Sequence, residues 1–148
     1  MIKGIDKENK YYVGQAASFS KTISEYDVYN FAGICGDFNP VHVNKEEAVN
    51  SIFKGQVAHG ILISSFISTV LGMYLPGPGT IYLQQELKFT NPVYIGDTIT
   101  ATVEIEEIEL KKGIAKLKTN VTNQKEILVI KGFAIVKLPI WYKIREEE

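Results

Sequence analysis

The chain is short of cysteine, has no excess of either charge and contains no long uninterrupted apolar run, and each shortage removes a class of protein. Cys35 is the only cysteine in 148 residues, so no internal disulfide framework can form and a reducing compartment, the cytoplasm, is the expected location. With 16 Lys and Arg against 17 Asp and Glu, the formal net charge is -1, which leaves no electrostatic footprint for nucleic acid or an anionic membrane surface. The longest apolar stretch, Gly60 to Leu75, is interrupted by Ser64, Ser65, Ser68 and Thr69 and falls short of the ~20 apolar residues that span a bilayer. Residues 1–10 carry Lys3, Asp6, Lys7, Glu8 and Lys10 and lack the hydrophobic region of a secretory signal, so no export is expected. Repeats, low-complexity tracts and Pro/Gly/Ser linkers are also missing, and one domain over residues 1–148 is the expectation.

What is present changes character at Pro76. Upstream, Ser24 and Asp27 form a capping box, and Val28, Phe31, Ala32 and Cys35 follow at helical spacing up to a stop at Gly36. That face predicts a short amphipathic helix with Cys35 as a packed, inert thiol. Asn39-Pro40 biases residues 37–43 towards an ordered loop, because the residue before a proline is pushed out of the α region. Asn44 and Glu47 then open a small helix through Ala48, Val49 and Ile52 to Gly55. Gly60 to Leu75 is apolar nearly all round, which predicts a helix enclosed by other structure.

Downstream, Ile99, Ala101, Val103 and Ile105 alternate with polar residues, and Ala115, Leu117, Thr119 and Val121 repeat the pattern. Gly96-Asp97, Lys112-Gly113 and Asn123-Gln124 punctuate these runs, so short antiparallel connections are expected, with a last strand over Val129 to Leu138. Thr80 to Phe89 reads as an earlier strand whose phase Gln84-Gln85-Glu86 leave open. The expected class is α+β, an antiparallel sheet curled around one apolar helix.

The chemistry concentrates in the segment from Phe31 to His42, where a carboxylate, Asp37, and an imidazole, His42, stand five positions apart around Asn39-Pro40. General acid/base work needs one group that accepts a proton and another that supplies one, and these two can form that pair. The plain alternative is that Asp37 forms a turn, Asn39-Pro40 starts one, and His42 is an ordinary surface or core residue. Further on, Ala58-His59-Gly60 leads into the apolar helix, so the Gly60 N–H is one of the unpaired donors at a helix start and suits a developing oxyanion. His59 reads as structural. Ser64 and Ser68 form a polar stripe, with back-bonding to the i−4 carbonyl the simplest role for at least one of them.

Gly36-Asp37-Phe38-Asn39-Pro40-Val41-His42 resembles the hydratase 2 motif of MaoC-like (R)-specific enoyl-CoA hydratases. The likeness continues through Ala58-His59-Gly60, Phe89-Thr90-Asn91-Pro92-Val93 and Gly96-Asp97-Thr98, and covers about Thr22 to Val136. It implies a hotdog fold, Asp37 and His42 as catalytic residues, Gly60 as oxyanion donor and Ser68 as a supporting serine. It further implies syn hydration of a trans-2-enoyl-CoA to an (R)-3-hydroxyacyl-CoA, or the reverse dehydration, with no metal or redox cofactor and with the acyl-CoA thioester as partner. By the same resemblance, a homodimer joins two sheets and the site lies in a tunnel at the subunit interface. The residues before Thr22 and from Trp141 to Glu148 fall outside the matched pattern, as strand extension, partner contacts or disorder.

Several alternatives stay open on sequence alone. A dehydratase of carrier-protein-bound chains would keep the same residues and differ at the entrance. A hotdog thioesterase would not call for the Asp37/His42 segment, and a non-catalytic acyl-CoA binding module has no use for an acid/base pair.

Overall fold

The computed structural model describes residues 11–139; the terminal segments read from the sequence, 1–10 and 141–148, lie outside the described residues. Five strands form one antiparallel sheet: β1 (Ala16–Thr22), β2 (Ile81–Phe89), β3 (Thr98–Glu109), β4 (Ile114–Thr122) and β5 (Leu128–Lys137). Their order is β1-β3-β4-β5-β2. Helices α1 (Glu25–Cys35), α2 (Pro40–Val43), α3 (Lys45–Asn50) and α4 (Gly60–Met73) come between β1 and β2.

The alternation in β3 and β4 does what its period requires. Ile99, Ala101, Val103, Ile105, Leu117 and Val121 are all 0% exposed and face α4, which presents Leu62, Ile63, Phe66, Ile67, Val70 and Leu71 to them. Each large aliphatic side chain so buried contributes roughly 1.5–3 kcal/mol relative to exposure. Short turns join β3 to β4 and β4 to β5, as expected. The β2–β3 connection, however, carries the chain from β2 at one edge of the sheet across to β3, which lies inside the other edge between β1 and β4. Residues 90–97 therefore cross one end of the sheet beside the start of α4, where the Ala58 N–H donates to the Val93 carbonyl (2.8 Å).

Four expectations need correction. First, α4 is not enclosed all round: a single sheet covers one side of a helix, and Ile61, Ser65 and Ser68 stand exposed on the other, with Met73 and Tyr74 exposed at its end. The Ser64 and Ser65 hydroxyls donate to the i−3 carbonyls of Ile61 and Leu62, one residue nearer than the expected i−4. Second, Cys35 is exposed, because the last turn of α1 runs past the core that Val28 and Ala32 reach. Third, residues 40–43 are helical: Pro40 occupies the first helical position, where its fixed φ and missing N–H cost nothing, and Asn39 is the N-cap. Fourth, α3 ends at Asn50, before Ile52, because the Ser51 hydroxyl turns onto the Ala48 carbonyl (2.6 Å).

The open phase of β2 has a cause. A register shift between Tyr82 and Gln84 marks a bulge that re-aims the residues after it. Gln85 consequently turns towards the sheet interior and donates to the hydroxyl of Thr119, a fully buried polar residue (2.8 Å), while Tyr82 O–H donates to Gln85 Oε1. Opposite the bulged strand, a Cβ on Gly132 would lie 1.9 Å from the Glu86 carbonyl oxygen, so β2 and β5 approach closely only because that residue has no side chain. No helix among the described residues is long and apolar enough to cross a membrane. A sheet folded over one long apolar helix is the hotdog arrangement.

Candidate active site

The sequence holds the Asp37–His42 segment in place through a chain of local caps. Ser24 and Asp27 cap α1 reciprocally, and Lys21 sits 3.1 Å from the Asp27 carboxylate. Burial alone would raise the Asp27 pKa, but the Ser24 N–H and hydroxyl and the Lys21 ammonium outweigh it and hold the group below its ordinary value of 3.8. Helix α1 ends at Gly36, and the next residue is Asp37. Its Oδ1 accepts from the Asn39 N–H (3.1 Å), and Asn39 in turn caps α2, whose third residue is His42. The capping residues therefore set the spacing of the two candidate groups, at about 1 kcal/mol per cap.

His42 Nδ1 lies 2.6 Å from the Val57 carbonyl oxygen. A carbonyl can only accept, so Nδ1 carries the hydrogen and Nε2 is the ring atom left to exchange protons. Nε2 faces Asp37 Oδ2 at 4.0 Å. That gap is too long for a direct hydrogen bond and suits a water bridging the two. The two side chains differ in environment: His42 is 12% exposed and Asp37 52%.

Beneath His42 lies His59, 3% exposed, its ring stacked on that of His42 with centroids 3.9 Å apart and planes 28° from parallel. Phe31 meets His59 edge-on at 5.0 Å. His59 Nε2 donates to the backbone carbonyl of Asp37 (2.9 Å), and its Nδ1 has no partner. Ligand atoms of Asp37, His42 and His59 lie within 4.8 Å of one another. One nitrogen on each ring is left without a backbone acceptor, Nε2 of His42 and Nδ1 of His59.

A cavity of about 560 Å³ opens beside these groups. His42, Asn39 and Gly60 are among the residues of its wall, together with Val41, Phe89 and Ile130. The volume lies within the range of small-molecule sites. Gly60 is the first residue of α4, whose start has no side-chain cap, so its N–H remains an available donor at the positive end of the helix. A side chain here would collide with the wall, since a Cβ on Gly60 would stand 2.6 Å from the Phe89 ring.

Of the residues singled out in the sequence, the structure brings His42 and Gly60 to one cavity and sets Asp37 beside His42, although Asp37 does not itself line the cavity. Ser68 lies two turns along α4, exposed and away from the lining. The Phe89 to Asp97 motif divides in role: Phe89 forms cavity wall, whereas Asp97 closes a turn by accepting from the Tyr94 N–H (2.9 Å). The Val57 carbonyl, which fixes the His42 tautomer, and the wall residues Val41 and Ile130 were not foreseen. A backbone acceptor carries no residue signature, and wall residues look like any core residue.

Known proteins are similar to this chain in sequence and fold. The chain is 50% identical over 126 residues to an (R)-specific enoyl-CoA hydratase of Rhodospirillum rubrum, covering 85% of this chain and 87% of that one. It is 42% identical over 127 residues to an (R)-specific enoyl-CoA hydratase of Aeromonas caviae, covering 86% and 95%. The solved structure of the (R)-hydratase from Aeromonas caviae superposes with a TM-score of 0.86 at 41% identity, over 88% of this chain and 99% of that one. The MaoC like domain matches residues 8–127, and with that match and these relatives the chain belongs to the MaoC-like family.

Proposed function

We propose that this protein adds water across the C2–C3 double bond of trans-2-enoyl-CoA thioesters to give (R)-3-hydroxyacyl-CoA, and catalyses the reverse dehydration with the same residues. The observation that carries the reading is the facing of Asp37 Oδ2 and His42 Nε2 at 4.0 Å next to a cavity on whose wall α4 begins with an uncapped glycine. In this scheme a water sits between the two groups. Asp37 takes a proton from it as its oxygen bonds to C3, while His42, entering the cycle with a hydrogen on Nε2 as well as on Nδ1, gives the Nε2 proton to C2 and is left with the Nδ1 hydrogen alone. The negative charge that develops on the thioester oxygen meets the Gly60 N–H. Proton transfer from Asp37 to His42 then restores the starting state, so protons balance over the cycle. One acid/base pair working from one side of the substrate delivers both additions to the same face.

No metal or redox cofactor has a part in this scheme; CoA enters as part of the substrate. The same reading takes the chain to be a cytoplasmic homodimer. An edge strand, β2, with exposed Ile81, Tyr82 and Leu83, and the exposed Ile61 and Ser68 on α4, support a second copy covering this side. Ser68 has its supporting role only in such an assembly. The test is disappearance of the enoyl-thioester ultraviolet absorbance with crotonyl-CoA, followed by chiral analysis of the product. Formation of (R)-3-hydroxybutyryl-CoA is the expected result. Release of free CoA instead identifies a thioesterase, and inertness towards short and longer enoyl thioesters identifies a binding module.

A further inference from the structure

His59 has no part in the proton transfers described above, yet it is the most completely buried titratable group around the site and touches both partners of the pair. Its Nε2–H donates to the backbone carbonyl of Asp37, and its ring lies under His42 at 3.9 Å. Its other nitrogen, Nδ1, is buried with no hydrogen-bond partner. An unpartnered buried acceptor weakens a fold, and an apolar side chain of similar size would fill the space without it. A residue with stability as its only role has no reason to be a histidine here. Phe31 supplies an apolar edge on another side of the ring, so the pocket already favours an aromatic filler.

We propose that His59 is a positioning residue for the hydration reaction, acting through Asp37 and His42 as its neutral Nε2–H tautomer. The donor fixes the main chain at Asp37, which holds the carboxylate at its separation from His42. The ring fixes the plane of His42, whose other restraint is the single bond from Nδ1 to the Val57 carbonyl. Because Val57, Ala58 and His59 are consecutive, one short segment sets both the tautomer of His42 and the place of Asp37. That segment is itself clamped by the Val57 N–H on the Val41 carbonyl (3.1 Å) and the Ala58 N–H on the Val93 carbonyl (2.8 Å). The groups that face His59 are Asp37, through its carbonyl and with a carboxylate oxygen within 4.8 Å of a ring nitrogen, His42 and Phe31.

This inference rests on the hydratase reading, and its test separates the two. His59→Phe keeps an aromatic ring and loses the donor, whereas His59→Gln loses the ring and places an amide N–H where Nε2 stood. The expected result is a kcat on crotonyl-CoA on the order of 10- to 100-fold lower in His59→Phe, the scale of a misplaced reacting group, with KM within about twofold of wild type. His59→Gln, which keeps the donor and loses the stacked ring, should recover part of the kcat loss even where its thermal midpoint is the lower of the two. Nitrogen-detected NMR of the wild-type imidazoles should show hydrogen on Nε2 of His59 and on Nδ1 of His42. The inference is overturned if His59 carries its hydrogen on Nδ1, if His59→Phe keeps wild-type kcat, or if both variants lose activity only in proportion to unfolded protein. A wild type that fails to hydrate enoyl thioesters refutes the hydratase reading, and with it a role for His59 in hydration, while the ring tautomers still report whether the hydrogen-bonding basis of the inference was right.

Discussion

Replacing Asp37 with Asn isolates the chemistry from the architecture. The amide is nearly isosteric with the carboxylate and retains an oxygen to accept the Asn39 N–H at 3.1 Å, so the turn into α2 is kept. The side chain is 52% exposed, so no buried charge is left unpaired and the thermal midpoint should stay within a few degrees of wild type. What disappears is a group able to take a proton from water. A positioned acid or base contributes about 10²–10⁴-fold, which is roughly 2.7–5.5 kcal/mol in the barrier. Asp37→Asn should therefore lower kcat on crotonyl-CoA by at least about a hundredfold, with a much smaller change in KM. The double variant Asp37→Asn/His42→Gln should be little worse than the poorer single, since groups that act as a unit are not additive. Retention of more than about a tenth of wild-type kcat by a folded Asp37→Asn protein would refute the acid/base assignment.

Three further outcomes follow from the packing. Gly60→Ala pushes a methyl to within 2.6 Å of the exposed, movable ring of Phe89, so the chain should fold while kcat drops on the order of tenfold or more; Gly60→Ala/Phe89→Leu should regain part of it in the same assay. Gly132→Ala meets backbone instead, at 1.9 Å, and should destabilise by about 1–3 kcal/mol or more as β2 is forced off β5, read as a lower urea midpoint. Asp27→Asn tests the cap and ion pair at α1. The folded pKa of Asp27 is depressed below 3.8, so its stabilisation is present above that value and is lost as pH falls through the folded value. Wild type should exceed the variant in unfolding free energy near neutral pH, and the difference should shrink towards zero below about pH 3.8 in acid titrations followed by circular dichroism.

Where local chemistry decides structure, the sequence was legible. The Ser24/Asp27 box, the Asn44 cap and the period-2 runs of β3 and β4 each need only their own residues, and the structure contains them as read. Strand β1 was not placed, because Ala16–Thr22 is a short edge strand whose residues, Phe19 apart, are small or polar, and its pairing with β3 depends on partners about 80 positions away. Pro40 marks both loops and helix starts, and the choice between them depended on the Asn39 cap. The crossing of residues 90–97 and the one-sided cover of α4 are properties of strand order, which periodicity does not encode. In the site, the residue types and spacing around Asp37 and His42 pointed to the pair. The stacking of His59, the Val57 carbonyl and the exposure of Cys35 required the chain to be folded.

In the proposed reaction Asp37 and His42 work as one acid/base pair from a single face of an enoyl thioester. Hydration of crotonyl-CoA in deuterium oxide tests it most directly, with the vicinal H2–H3 coupling of the product read by proton NMR. The expected product carries one deuterium at C2, on the same face as the new hydroxyl of an (R)-3-hydroxyacyl chain. Deuterium on the opposite face, or scrambled over both, would contradict it.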